Sequence, residues 1–313
     1  MILLKKKRDP RPLGVPLDDL EKAINQTNLK ASRDGNSLIV RNVNLITRVD
    51  VVPPGSRECG DAIIKAVVHI KTELPEEIAA TFLKRPQLAG TINAMATLGA
   101  LTLEGDRCFI GSRLTIYEQE NAWKVHFGLL LLTVIGAADS FLGSLRTVFS
   151  GEQPLKGASS WTEQDLSLVE SDLSRICVCT TGGLGLTAEF SLRNGEVSAA
   201  FGDHNTALWR IVADQPHPAL GGGLFCLLEL PHRVADESRL DPILNQLNQM
   251  EMAPNDLPPH FGAWCRGNLG NNLAYVAFFP NVMHAIEGIA LNASIWALHR
   301  AEWANAVLLR LLA

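Results

Sequence analysis

Cys177-Val178-Cys179, Asp203-His204-Asn205 with His217, and His284-Ala285-Ile286-Glu287 with His299 are the places where residue types and spacing could do chemistry. In a strand the thiols of Cys177 and Cys179 fall on one face, as a redox or metal pair would need. Such a pair usually has two intervening residues and a second ligand pair; without either, core or surface cysteines are expected. An acid beside a histidine is the raw material of general-base catalysis. Adjacent strand residues point to opposite faces, however, so Asp203 cannot orient the His204 imidazole. With Gly221-Gly222-Gly223 just beyond, this patch reads as a loop between strands, and no Gly-any-Ser-any-Gly elbow supplies a nucleophile. His284 and Glu287 lie one helical turn apart with His299 farther along, but a zinc site needs converging ligands that the fold would still have to supply. Thr181-Gly182-Gly183-Leu184-Gly185 lacks the Lys-Ser/Thr of a P-loop and runs into strand-like sequence, so it reads as a glycine turn rather than a phosphate cradle. No catalytic residue, no metal and no cofactor is therefore expected.

The elements that must position these residues are duplicated. Glu73-Leu74-Pro75 is followed about one helix later by Ile92-Asn93-Ala94-Met95, and Glu229-Leu230-Pro231 by Leu247-Asn248-Gln249-Met250. Cys108 and Cys265, each inside a strand-like apolar run, keep nearly the same offset. Agreement across small insertions is the mark of a tandem repeat. The expected organisation is a flexible basic tail over 1–16, a first repeat over 17–149, a linker over 150–161 and a second repeat over 162–313.

In the first repeat, Leu17, Leu20 and Ile24 give a helical stripe, and Asp34-Gly35 signals a hairpin. Strand-like sequence runs over 37–52 and, past Pro53-Pro54-Gly55-Ser56, over 62–74. Pro75 fits the first helical position, followed by Glu76 and Glu77 at the positive end of the dipole. Strands over 108–118 and 122–132 and a helix over 133–149 complete the half. The second repeat opens on a capping box, Thr162-Glu163-Gln164-Asp165. Strands at 176–181, 184–193, 196–201, 206–212 and 224–230 follow, with Asn194-Gly195 as a hairpin turn. A helix over 238–252, strands over 262–267 and 272–279 and a helical region from 282 close the chain. Consecutive strands rather than alternating strands and helices make this α+β, each half reading α-βββ-α-ββ-α with an antiparallel sheet covered by helices.

A chain of 313 residues exceeds the usual single-core size, and 47% hydrophobic against 19% charged residues places it in the globular class. A net charge of −5 argues against a nucleic-acid partner, which needs a basic face. The basic run Lys5-Lys6-Lys7-Arg8 follows Met1-Ile2-Leu3-Leu4 rather than preceding it, so the order of a signal peptide is lacking and a cytoplasmic location is expected. The apolar run from Phe127 to Ala138 is too short to span a membrane and reads as a buried element. No disulfide is expected, since Cys108, Cys226 and Cys265 sit in apolar runs and export is not signalled.

On its element order, on Leu247-Asn248 closing the middle helix, and on Trp264-Cys265-Arg266, Leu273-Ala274-Tyr275-Val276-Ala277-Phe278, Arg300 and Trp303, the chain resembles a tandem of the fold shared by type III secretion chaperones and YbjN-like proteins. The resemblance covers nearly the whole chain. It implies a non-enzymatic, chaperone-like or regulatory module that binds a protein or peptide segment, either as a pseudo-dimeric monomer or as a homodimer. The rival readings are a small-molecule or metal-dependent enzyme with its site in the second repeat, and a structural subunit used for oligomerisation. Trp209, Trp264 and Tyr275 are the candidate partner-binding residues, an exposed one acting as the anchor. Apolar contact and sheet-edge pairing, insensitive to salt, are the expected binding mode. Asn93 and Asn248 are expected to brace helix ends.

Overall fold

In a computed structural model of the chain, the described residues are 17–26, 29–42, 45–52, 58–59, 62–94, 98–117, 131–139, 141–143, 145, 189–193, 196–201, 207–217, 221–253, 257–267, 272–280 and 289–312. The basic tail, the linker, the capping box, the strand expected at 176–181 and Met95 lie outside them, as do Cys177, Cys179, the glycines at 182, 183 and 185, Asp203, His204, Asn205, His284 and Glu287.

The first sheet grows from local signals. Helix α1 (Leu17–Asn25) carries Leu20 and Ile24 one turn apart on its buried face. Strands β1 (Lys30–Asp34) and β2 (Ser37–Arg41) form the expected hairpin, with Gly35 at φ 61°, a conformation that favours glycine. Asn42 and Leu45 exchange main-chain hydrogen bonds at 3.0 and 3.3 Å, dividing the single run expected at 37–52, and β3 (Ile46–Val52) doubles back on β2. After β4 (Glu58–Cys59), the long β5 (Ala62–Glu73) leads to Pro75, which precedes α2 (Glu76–Lys84); Pro86 precedes α3 (Gln87–Asn93). The last hairpin is β6 (Ala100–Glu104) and β7 (Arg107–Tyr117).

The second sheet comprises β8 (Glu189–Arg193), β9 (Glu196–Phe201), β10 (Ala207–His217) and β11 (Gly221–Arg233), then β12 (Ala263–Arg266) and β13 (Asn272–Pro280). Between the two groups lie a 3-10 turn over Glu237–Arg239 and helix α4 (Leu240–Met252); helix α5 (Ile289–Leu311) closes the chain. The class is α+β with antiparallel sheets.

Strand order is β1-β2-β3-β5-β7-β6 in one sheet, with β4 beside β5, and β8-β9-β10-β11-β13-β12 in the other. In both, four strands meander and a final hairpin folds back so that its first strand becomes the edge. The registers agree as well. Glu73 lies opposite Ile46 and Phe109, and Glu229 opposite Leu208 and Ala274. Arg41 lies opposite Lys30 and Ile46, and Ala200 opposite Glu189 and Leu208. Leu101 pairs Ile110 as Trp264 pairs Tyr275. Asn93 gives its side-chain N–H to Leu101 O (3.3 Å) and accepts from Leu101 N (2.8 Å); Asn248 does the same with Trp264 O (3.0 Å) and N (2.8 Å).

Three expectations are corrected. The meander has four strands before the middle helix, not three. Among the described residues the hairpin after α3 is β6–β7, turning at Gly105; of the strand expected over 122–132, residues 122–130 lie outside the described residues and 131–132 are helical. Cys108 lies in β7 and Cys265 in β12, which hold different places in their sheets; the connection from Asn248 to Trp264 is longer than that from Asn93 to Leu101, so a constant offset mismatches everything after it.

One apolar cluster runs through both halves, from Leu20, Leu38 and Ile70 to Trp209, Leu228, Trp264 and the α5 alanines. The halves also grip each other reciprocally: α3 packs on β12, and α4 on β6. Gln249 Nε2 donates to Leu103 O at 2.8 Å across this junction. Among the described residues no helix is long and apolar enough to cross a membrane.

Candidate functional site

The densest set of ionisable side chains is assembled from five elements. Glu251 sits on the buried face of α4 with Leu244, Leu247 and Asn248. Arg300 interrupts the alanine stripe of α5, between Ala297 and Ala301. Trp264 and Tyr275 face each other across β12 and β13, and Arg113 comes from β7 of the first sheet. Residues 257–261, within the longer connection after α4, bring His260 against β7. Arg113 and His260 exchange both main-chain hydrogen bonds, at 3.0 and 2.8 Å, joining the sheets where β6 has ended.

Glu251, His260 and Arg113 are each 0% exposed, so every charge there has to be neutralised locally. Glu251 Oε1 accepts from Arg300 Nε (2.6 Å) and Trp264 Nε1 (2.9 Å), and Oε2 accepts from Arg300 Nη2 (3.0 Å). Arg300 also donates to Pro259 O (2.8 Å), and its guanidinium lies 4.2 Å from the Tyr275 ring centre. Arg113 Nη2 donates to Leu257 O (3.0 Å) and Pro258 O (2.8 Å), so the two arginines clamp the 257–259 carbonyls from opposite halves. Burial alone would raise the Glu251 carboxyl, but Arg300 and His260 outweigh it and hold the group well below the usual carboxylate range. Burial lowers His260, with Arg300 and Arg113 adding to the effect and Glu251 opposing it. His260 is therefore neutral near pH 7. A carboxylate can only accept, so the contact of 3.2 Å from His260 Nδ1 to Glu251 Oε2 puts the imidazole proton on Nδ1. His260 Nε2 is buried and meets no partner among the described side chains. Gly262 N donates to the Tyr275 hydroxyl at 2.7 Å; a Cβ at Gly262 would stand 2.0 Å from Val276 O, so only glycine fits there.

A His–Glu pair has the form of a general base with its orienting acid. Among the described residues, the space beside Arg300, Tyr275 and Pro259 is about 10 Å³, at the lower bound for one water and too small for a substrate. What the arrangement does is hold β7, α4, α5 and the 257–261 segment together.

An open recess of about 340 Å³ lies at the reciprocal junction instead. Pro86, Ala89 and Gly90 around α3, Leu103 of β6, and Pro242 and Leu244 of α4 give it an apolar lining. Asp241 on its rim is already paired with Arg266, at 2.9 Å.

The sequence-predicted residues are distributed otherwise. Trp209, Trp264 and Tyr275 are 2%, 0% and 3% exposed, which corrects the expectation of an exposed aromatic anchor among them. Trp209 packs against α5 and donates to Ser294 Oγ at 3.0 Å; Trp264 and Tyr275 belong to the buried cluster. Their polar tips find partners inside, so burial satisfies them completely. His217 is buried against Phe278, and Gly221-Gly222-Gly223 begin β11 rather than forming a loop. His299 stands exposed on α5, near Glu302. Cys108 and Cys265 are buried free thiols pushed up to about 12 by burial. Among the described residues no group of three or more His, Cys, Asp and Glu side chains could hold a metal ion. Sequence reasoning missed the Glu251–His260–Arg300–Arg113 cluster. Its one signal was an arginine on an otherwise apolar helix face.

Comparison of the chain with protein-family models, curated proteins and solved structures found no match.

Proposed function

We propose that the chain is a tandem of one α+β unit forming an internal pseudo-dimer, and that it is a non-enzymatic module binding a protein or peptide segment. The shared strand order, the shared registers and the matching Asn93 and Asn248 bonds support the tandem reading. The observation that carries the binding reading is the apolar recess between α3 and α4. It is the kind of concavity that takes apolar side chains of a partner, whereas the space described beside the ionisable cluster is about 10 Å³. This reading favours the recess over sheet-edge pairing. The edge strands β6 and β12 lie within the junction between the halves, and on β1 the Ala31 N–H is already taken by Asn25 Oδ1 at 3.0 Å. The reading keeps the chaperone-like character that the family resemblance implies, in the cytoplasm.

The test fills the recess. Gln87→Trp and Asn245→Trp place bulk at its rim from partly or fully exposed positions. Quantitative capture from native lysate, compared with wild type, should show a protein whose recovery falls at least tenfold with both variants and is unchanged between low and high salt. Capture that survives both substitutions, or that salt abolishes, would sink the proposal.

A further inference from the structure

At the joint between the halves a histidine is buried, and its protonation would change the local charge balance. His260 touches both sides: its main chain pairs Arg113 of the first sheet, and its Nδ1 faces Glu251. The charged and titratable groups around it are Glu251 from α4, Arg300 from α5, Tyr275 from β13 and Arg113 from β7. Behind Arg113, at the opposite register position on β5, is His69, 8% exposed, with Lys71 nearby. Arg300 thus already neutralises the Glu251 carboxylate, while Arg113, bonded to the Leu257 and Pro258 carbonyls, adds a second positive charge that acts on His260.

We propose that the seam between Arg113 and His260 is an acid-sensitive joint: protonation of His260 places a new cation between Arg113 and an Arg300 that already neutralises Glu251, and the 257–261 segment separates from β7. The partnerless, buried Nε2 is where the added proton must go, since Nδ1 already carries one. In the closed joint that N–H would be buried without an acceptor, whereas in the open joint water solvates it. The closed form is favoured above the ordinary histidine range, near pH ~6.5, and loses at most about tenfold in its equilibrium constant per pH unit below it. Release of the segment would also free the C-terminal end of α4, opposite the end that lines the recess, so the joint titrates whether or not the recess binds a partner.

The experiment is residue-resolved amide hydrogen exchange on the full chain, corrected for intrinsic rates, together with the His260 imidazole chemical shift. Between pH 7 and pH 5, protection of the Arg113 and His260 amides relative to Val68 in the body of the sheet should fall at least tenfold as His260 gains charge. In His260→Asn the amide donates to Glu251 without titrating, and the ratio should stay flat. The proposal is overturned by a flat ratio in wild type, by an equal fall in the variant, or by an imidazole that stays neutral while protection is lost. Should the variant not fold, the wild-type shift and exchange curves alone decide, because they must move together.

Discussion

Asn93 and Asn248 hold Leu101 and Trp264, one residue of each edge strand, by both main-chain groups, so that the helix end and the strand behind it are one hydrogen-bonded unit in each half. Both asparagines are buried, at 6% and 0% exposure, and water cannot replace the bonds. Truncating either leaves a main-chain N–H and a C=O unsatisfied, a cost of about 2 kcal/mol or more. Asn93→Ala and Asn248→Ala should each lower the urea midpoint by a comparable amount. A neutral result at either position would show that the bracing is not shared.

The Glu251–Arg300 pair should behave as buried ion pairs do. Glu251→Ala leaves the guanidinium uncompensated and should cost about 3–5 kcal/mol, while Glu251→Leu with Arg300→Met should cost far less. Denaturation of both variants makes the comparison. A double variant as unstable as the single would mean that charge in this place is needed for something besides neutralising its partner.

His69 is held down to about 4 by burial, with Arg113 and Lys71 contributing. Its unfolded value is near 6.5, so the folded protein binds fewer protons between these limits. Stability present above pH 6.5 is then lost as the pH falls toward 4, by up to about 3 kcal/mol. Replacement by Gln should flatten that part of the stability curve relative to wild type; an unchanged slope would show that His69 is not responsible.

Native alkylation at pH 8 followed by peptide mapping should leave Cys108, Cys226 and Cys265 unmodified, because burial both blocks the reagent and pushes the thiols up. All three should react after denaturation. Modification of Cys265 in the native state would place the outer face of the second sheet in contact with solvent.

Much of the frame was legible because it rests on local chemistry. Asp34-Gly35, Pro75 and the Leu17–Leu20–Ile24 stripe act through turn preference, a missing N–H and helical period, each readable within a few residues. Strand β6 was not, since Ala100–Glu104 is a short piece whose only boundary signals are Gly99 and Gly105. In the apolar run ending near Ala138 the described helix begins by Leu131 rather than at Thr133: a nearly uniform apolar run has no period, and the point where strand becomes helix cannot be read from it. The buried cluster was invisible for a different reason. Glu251, His260, Arg300 and Arg113 share no spacing rule, and only the reach of residues 257–261 across to the other sheet makes them neighbours.

That reach has a consequence for how the protein comes into being. During synthesis the first half leaves the ribosome long before residues 257–261 exist, and until they arrive the β7 segment beyond the last β6 pair at Gly111, Ser112-Arg113-Leu114-Thr115-Ile116-Tyr117, lacks the main-chain partner that His260 gives Arg113. Such a stretch, rich in β-branched and aromatic residues, is a template for pairing with other nascent chains. A premature stop anywhere before Leu257 should therefore yield insoluble fragments rather than a working half-size protein, and slower translation of the second half should deepen the loss.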